Sequence, residues 1–158
     1  MENKYAFERK FAEFIADVLA ICYEYVEGRA EKIYVYLEDE ARVQTSGFFY
    51  KINGKVVMRG KLNTALRPGE KLYADDPDRQ GQVQSIIRED WNRFAALCRQ
   101  YNKPVPTEIR MVYDVKTKKP DVRIQYDPVW SNKGGFTMDV EEAWFEKEAA
   151  AAAASGTV

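Results

Sequence analysis

The apolar pattern of the chain predicts an α+β fold. The expected form is a single antiparallel sheet, a three-strand meander plus a two-strand hairpin, packed against amphipathic helices in the order αβββαββα. Three observations carry this. Two long segments repeat apolar residues at three- and four-residue steps, the signature of helices with one buried face. Two pairs of short runs rich in aromatic and β-branched residues are separated by turn residues. Finally, there is no βαβ alternation, no internal repeat and no linker long enough to divide the chain, so the economical arrangement is a sheet with helices mainly on one face.

The first helix is expected over residues 4 to 27. Phe7, Phe11, Phe14, Ile15, Val18, Leu19, Cys22, Tyr25 and Val26 form its apolar stripe, and Gly28 is a natural stop just past it. Lys32-Ile33-Tyr34-Val35-Tyr36-Leu37 reads as a strand, and Asp39-Glu40-Ala41 turns the chain. Val43 to Ile52 makes a second strand, with Gly47 expected as a bulge or twist point. Asn53-Gly54 is a strong hairpin signal because both positions tolerate positive φ, and a third strand returns from Lys55.

Residues 63 to 77 are the least regular. Asp76 before Pro77 then supplies a side-chain acceptor followed by a residue with no amide to satisfy, which starts a second helix. Its buried face comprises Val83, Ile86, Ile87, Trp91, Phe94, Ala95 and Cys98, and Asn102-Lys103-Pro104 ends it. Ile109, Met111 and Tyr113, then Val122, Ile124 and Tyr126, alternate with polar neighbours on either side of a lysine-rich turn, giving the hairpin. Asp139 with Glu142 three residues on resembles a capping box and opens a last helix to Glu148. Residues 1–148 are thus read as a single domain, and 149–158 as an alanine-rich tail or helix extension.

Composition narrows the function. At 46% apolar and 13% aromatic, the 158-residue chain can bury a core. Its 24 basic and 25 acidic residues leave a net charge of -1, so it is not built as a whole to hold nucleic acid or an anionic membrane. No apolar run approaches a membrane span, and the amphipathic start is not a signal peptide, so a cytoplasmic protein is expected. Cys22 and Cys98 both fall in helical patterns, which favours two core thiols over a disulfide. The absence of histidine removes Ser-His and Cys-His nucleophilic systems and the commonest zinc sites. No glycine cluster follows a strand as a phosphate loop would. Carboxylate chemistry survives this elimination, but no spacing marks any pair.

The order of elements, with particular residues, resembles the YezG-like family of bacterial immunity proteins. The likeness lies in the N-terminal helix leading into Ile33-Tyr34-Val35-Tyr36-Leu37 and in the helix bearing Trp91 and Phe94. It is clearest in Asp121-Val122-Arg123-Ile124-Gln125-Tyr126-Asp127, followed by Trp144 and its acidic neighbours. It covers nearly the whole chain through soft motifs. The Arg67-Pro68-Gly69 loop, Pro104-Val105-Pro106 and Gly134-Gly135 depart from the family pattern, and these bear on which toxin subtype the chain would face. The resemblance implies an antidote that binds a toxin of the same cell, often a nuclease, and blocks it without chemistry or cofactor.

Local charge is uneven in a way that suits such a role. From Thr137 to Glu148 there are five acids and one base; from Lys103 to Arg123 there are six bases and three acids. Asp139, Glu141, Glu142 and Glu146 are therefore candidate partner contacts, facing a basic nuclease cleft. Trp144 and Trp130 are candidate aromatic anchors, and Asp75, Asp76 and Asp78 form a second candidate patch. The plainer reading is a solvated helix face whose acids suit the helix dipole, with one of Trp144 and Phe145 in the core. Two other classes stay open. One is a carboxylate- or metal-dependent hydrolase using Asp75, Asp76, Asp78 and Asp127. The other is an adaptor or homodimer joined through an exposed sheet edge.

Overall fold

The computed structural model describes residues 5–129 and 137–156, with residues 137–139 described in backbone only. Helix α1 (Ala6–Tyr25) leads into strands β1 (Lys32–Glu40), β2 (Val43–Ile52) and β3 (Lys55–Met58). A 3-10 turn (Leu62–Ala65) and helix α2 (Pro77–Gln100) follow, then strands β4 (Glu108–Asp114) and β5 (Lys119–Gln125), and helix α3 (Thr137–Gly156). The five strands form one antiparallel sheet in the order β3-β2-β1-β4-β5, so the element order and fold class are those expected.

Local chemistry explains most boundaries. Glu27 and Gly28 take positive φ (55° and 69°) where α1 stops, and the Gly28 N–H donates to the Tyr23 carbonyl, a left-handed helix termination. Asn53 and Gly54 do the same (50° and 80°) in the β2–β3 turn. Asp76 caps α2 by accepting from the Arg79 N–H at 2.8 Å, with Pro77 next. The β1–β2 turn falls later than expected, on Ala41 and Arg42. Both have positive φ (52° and 63°) without being glycine.

Strand β1 lies at the centre, and Ile33 to Glu38 are buried without interruption. One face of the sheet presents Ile33, Val35, Leu37, Phe48, Tyr50, Ile109 and Met111 to α1 and α2. Phe14 stacks on Phe94 with ring centroids 4.6 Å apart, joining the two helices. Two polar groups in this core are satisfied: the Tyr50 hydroxyl donates to the Cys22 carbonyl at 2.7 Å, and Trp91 Nε1 to Asp39 Oδ2 at 2.7 Å. Cys22 and Cys98 are free, buried thiols.

The other face carries its own apolar layer, and here the expectation of helices mainly on one face needs correction. Helix α3 crosses to the opposite side and packs on β2 and β3, against Tyr34, Tyr36, Phe49 and Val56. Those residues alternate with the first face's set along the same strands, so burying both sets requires a layer on each side. The alanines continue α3 as far as Gly156, and Ala152 is itself buried against this layer. Gly47 also differs from expectation. The β1–β2 register runs unbroken through Tyr36↔Gly47, so there is no bulge. The glycine instead makes room for α3: a Cβ there would lie 1.9 Å from Glu141 Oε1.

Candidate functional site

Two helices cannot roof five strands. A helix is about 10 Å across and strands are spaced about 4.8 Å, so each helix covers roughly two strands. Helices α1 and α2 pack on each other and lie over β1, β2 and the buried Ile109 and Met111 of β4, which leaves β5 and the Tyr113 end of β4 open on that face. The result is an open trough of 640 Å³. Its wall is the flank of α1, Phe11, Ile15, Leu19 and Tyr23, interleaved with Ala12, Ala16 and Ala20. Its floor is Tyr113, Pro120, Val122 and Ile124. Ile124 and Tyr23 are 36% and 43% exposed, large apolar groups that nothing in the described chain covers. The small alanine side chains let another backbone approach α1 closely.

The rim is basic at one end. The tight turn between β4 and β5 presents Lys116, Lys118 and Lys119, and Lys118 also lines the trough. Asp114 fixes this turn. Its carboxylate accepts from the Thr117 N–H at 3.0 Å, and that bond holds its carboxyl below the usual range. The Asp114 carbonyl accepts from the Lys118 N–H at 2.8 Å. None of the three lysines is in an ion pair among the described residues.

Strand β5 is also one of the two edges of the sheet, β3 being the other. Lys119, Pro120, Asp121 and Arg123 lie along β5, which is how natural edges are guarded against pairing with another strand. A helix laid in the trough fits this geometry better than an added strand.

The residues singled out from sequence are scattered rather than assembled. Glu141 is buried and pairs with Arg59 Nη1 at 3.0 Å, beneath α3. Trp144 is 7% exposed and packs edge-on against Phe49, with ring centroids 5.0 Å apart. It is therefore core rather than a presented anchor, while Phe145 is only partly buried, the division expected of adjacent helical residues. Both corrections follow from α3 being the second face's roof. Glu142 and Glu146 do face solvent. Asp76 is the α2 cap; Asp75 and Asp78 flank it, the first half-buried and the second exposed. Trp130 and the side chain of Asp139 lie outside the described residues.

Sequence reasoning missed a set of buried acids on the α3 face. Glu38 and Glu108 sit directly opposite each other on β1 and β4, both buried. The Tyr36 hydroxyl donates to Glu38 Oε2 at 3.1 Å, and Arg110 Nε to Glu108 Oε1 at 3.1 Å. Glu40 Oε2 accepts from the Val129 N–H at 2.9 Å. Even positions on β1 and β4 put these acids on one face, but single strands do not reveal that the two align. Among the described residues no group of three or more acids or thiols is arranged to hold a metal ion. Among them, too, no helix is long and apolar enough to cross a membrane. Comparison with family models and with curated proteins finds no match.

Proposed function

We propose that this chain is a binding protein that neutralises a toxin protein by stoichiometric contact, with the trough over β4–β5 as its docking face. The observation behind this reading is the 640 Å³ apolar trough with a lysine rim at one end. Its shape and charge suit an amphipathic helix of the partner, with its apolar face on Val122 and Ile124 and acidic residues toward Lys116, Lys118 and Lys119. That the partner is a toxin, a nuclease by preference, rests on the resemblance to YezG-like immunity proteins alone. The exposed Glu142 and Glu146 remain a second contact patch in this proposal.

The test is binding of this chain to the toxin encoded beside it, by calorimetry, together with rescue of cells expressing that toxin. Val122→Glu and Ile124→Glu place charge on the trough floor at partly exposed positions, so the fold should survive. Each should weaken binding by about tenfold or more, or about 1.4 kcal/mol. A Glu142→Lys, Glu146→Lys double variant should mainly slow association. Wild-type affinity in both floor variants would remove the trough from the interface. A wild-type chain that neither binds nor protects would remove the immunity role.

A further inference from the structure

On the opposite face of the same hairpin, beneath α3, lies a recess of 250 Å³ that belongs to neither the trough nor the packed core. Four cations converge on it from four elements: Lys32 of β1, Arg110 of β4, Arg123 of β5 and Lys147 of α3. Asp121 and Glu148 also line it, and Glu108 pairs with Arg110, so the four cations outnumber these acids by one. We infer that this recess is a binding site for a phosphate dianion.

The ladder gives the first reason. Arg110 and Arg123 are directly opposed in the β4–β5 register, on the same face. Like charges in that position destabilise a sheet unless something negative sits between them. Glu108 offsets Arg110, but Arg123 has no ion pair among the described residues. Neither has Lys147. Lys32 stands across from Asp114 and helps keep it ionised, although the hydrogen bond of that carboxylate goes to the Thr117 N–H.

The second reason is preorganisation. The Arg110 guanidinium is held by Glu108 at 3.1 Å and lies over the Trp144 ring, 5.2 Å from its centroid. Its orientation is thus set before any ligand arrives, and a planar guanidinium matches phosphate oxygens in pairs. Third, Tyr34, Val112 and Trp144 give the recess one apolar side beside its charged groups. Burial, then Glu148 and Glu31, push the Tyr34 phenol up to about 12, so it stays neutral beside the cations. The volume holds a phosphate group with a small attachment. The aromatic side favours a monoester carrying a flat substituent over the free ion.

The test is titration of the full chain with inorganic phosphate, phenyl phosphate and, at matched ionic strength, chloride, followed by tryptophan fluorescence and by melting temperature. Saturable binding of phosphate and tighter binding of phenyl phosphate are expected, with no saturation by chloride. Arg123→Gln and Lys147→Gln change exposed side chains and should each weaken phosphate binding by about tenfold. Arg123→Gln also separates a site from an ordinary charged surface. It should raise the melting temperature in phosphate-free buffer, because it relieves the opposed arginines, and should lose the further rise that phosphate gives the wild type. Identical responses to phosphate and chloride would overturn the inference, as would an Arg123→Gln variant that binds phosphate like the wild type. Phosphate binding without preference for phenyl phosphate would assign the site to the free ion.

Discussion

Replacing Gly47 by alanine should destabilise the protein through a residue on another element. A Cβ at Gly47 would lie 1.9 Å from Glu141 Oε1 and 2.2 Å from Glu141 Cδ. The carboxylate is the end of a flexible side chain and can swing away, but only by leaving Arg59, 3.0 Å distant. Those two side chains are 21% and 11% exposed, so water replaces the lost partner poorly. Losing a charge-assisted hydrogen bond costs about 1.5–3 kcal/mol. Alanine gains about 0.5–1 kcal/mol over glycine in an element interior, which offsets part of it. The net loss should be about 1–2 kcal/mol, or a melting point lower by about 2–8 °C at this size. Urea denaturation of Gly47→Ala, Glu141→Ala and the double variant measures it. In the Glu141→Ala background, Gly47→Ala should be neutral or slightly stabilising, giving a coupling of about 1.5–3 kcal/mol. An equal cost of Gly47→Ala in both backgrounds would refute the reasoning and assign the glycine a backbone role instead.

Trp144→Ala should cost about 3–5 kcal/mol by opening a cavity among Tyr34, Tyr36 and Phe49; a variant of wild-type stability in urea would return Trp144 to the surface. Ala41→Asn with Arg42→Gly puts residues suited to positive φ into the β1–β2 turn and should raise stability by about 1–2 kcal/mol, an effect that an unchanged melting temperature would exclude. Burial pushes the Tyr25 and Tyr34 phenols from 10.0 up to about 12. The native state therefore keeps protons that the unfolded chain releases. Stability from these two groups should be full below pH 10 and decline from there to about pH 12, with tyrosinate absorbance rising late and cooperatively.

Elements whose signals are local were legible in the sequence. The Asn53-Gly54 turn, the Asp76-Pro77 helix start and the alternation of Ile109, Met111 and Tyr113 each depend on neighbours in the chain, and each appears where expected. Strand β1 carries a signal of two-sided burial. Its unbroken aromatic and β-branched run could have announced a strand covered on both faces, and so a helix on each side. Helix α3 hid this because its alanines leave little contrast between its faces. Glu141 looks like one more surface acid in the sequence because its partners, Arg59 and Gly47, are distant in sequence and meet it only in the fold. The trough was half visible. Ala12, Ala16 and Ala20 widen the apolar stripe of α1 at four-residue steps, and the hairpin's apolar side was plain. That β5 is left open beside α1 depends on β4 pairing with β1, a long-range choice no local pattern encodes.

The crossing of α3 to the far side of the sheet also fixes an order of events. During synthesis the strands that build the central ladder are complete once Gln125 has emerged, and α1 and α2 can already close over one side. Tyr34, Tyr36 and Phe49 then stand open to water until the last helix is made, some thirty residues later by the numbering of α3. A nascent or truncated chain ending before Thr137 would thus lack the cover of Tyr34, Tyr36 and Phe49 and expose an aromatic, self-adhesive surface. Its fate in the cell would turn on how quickly the final helix reaches it, or on a chaperone that shields the surface until then.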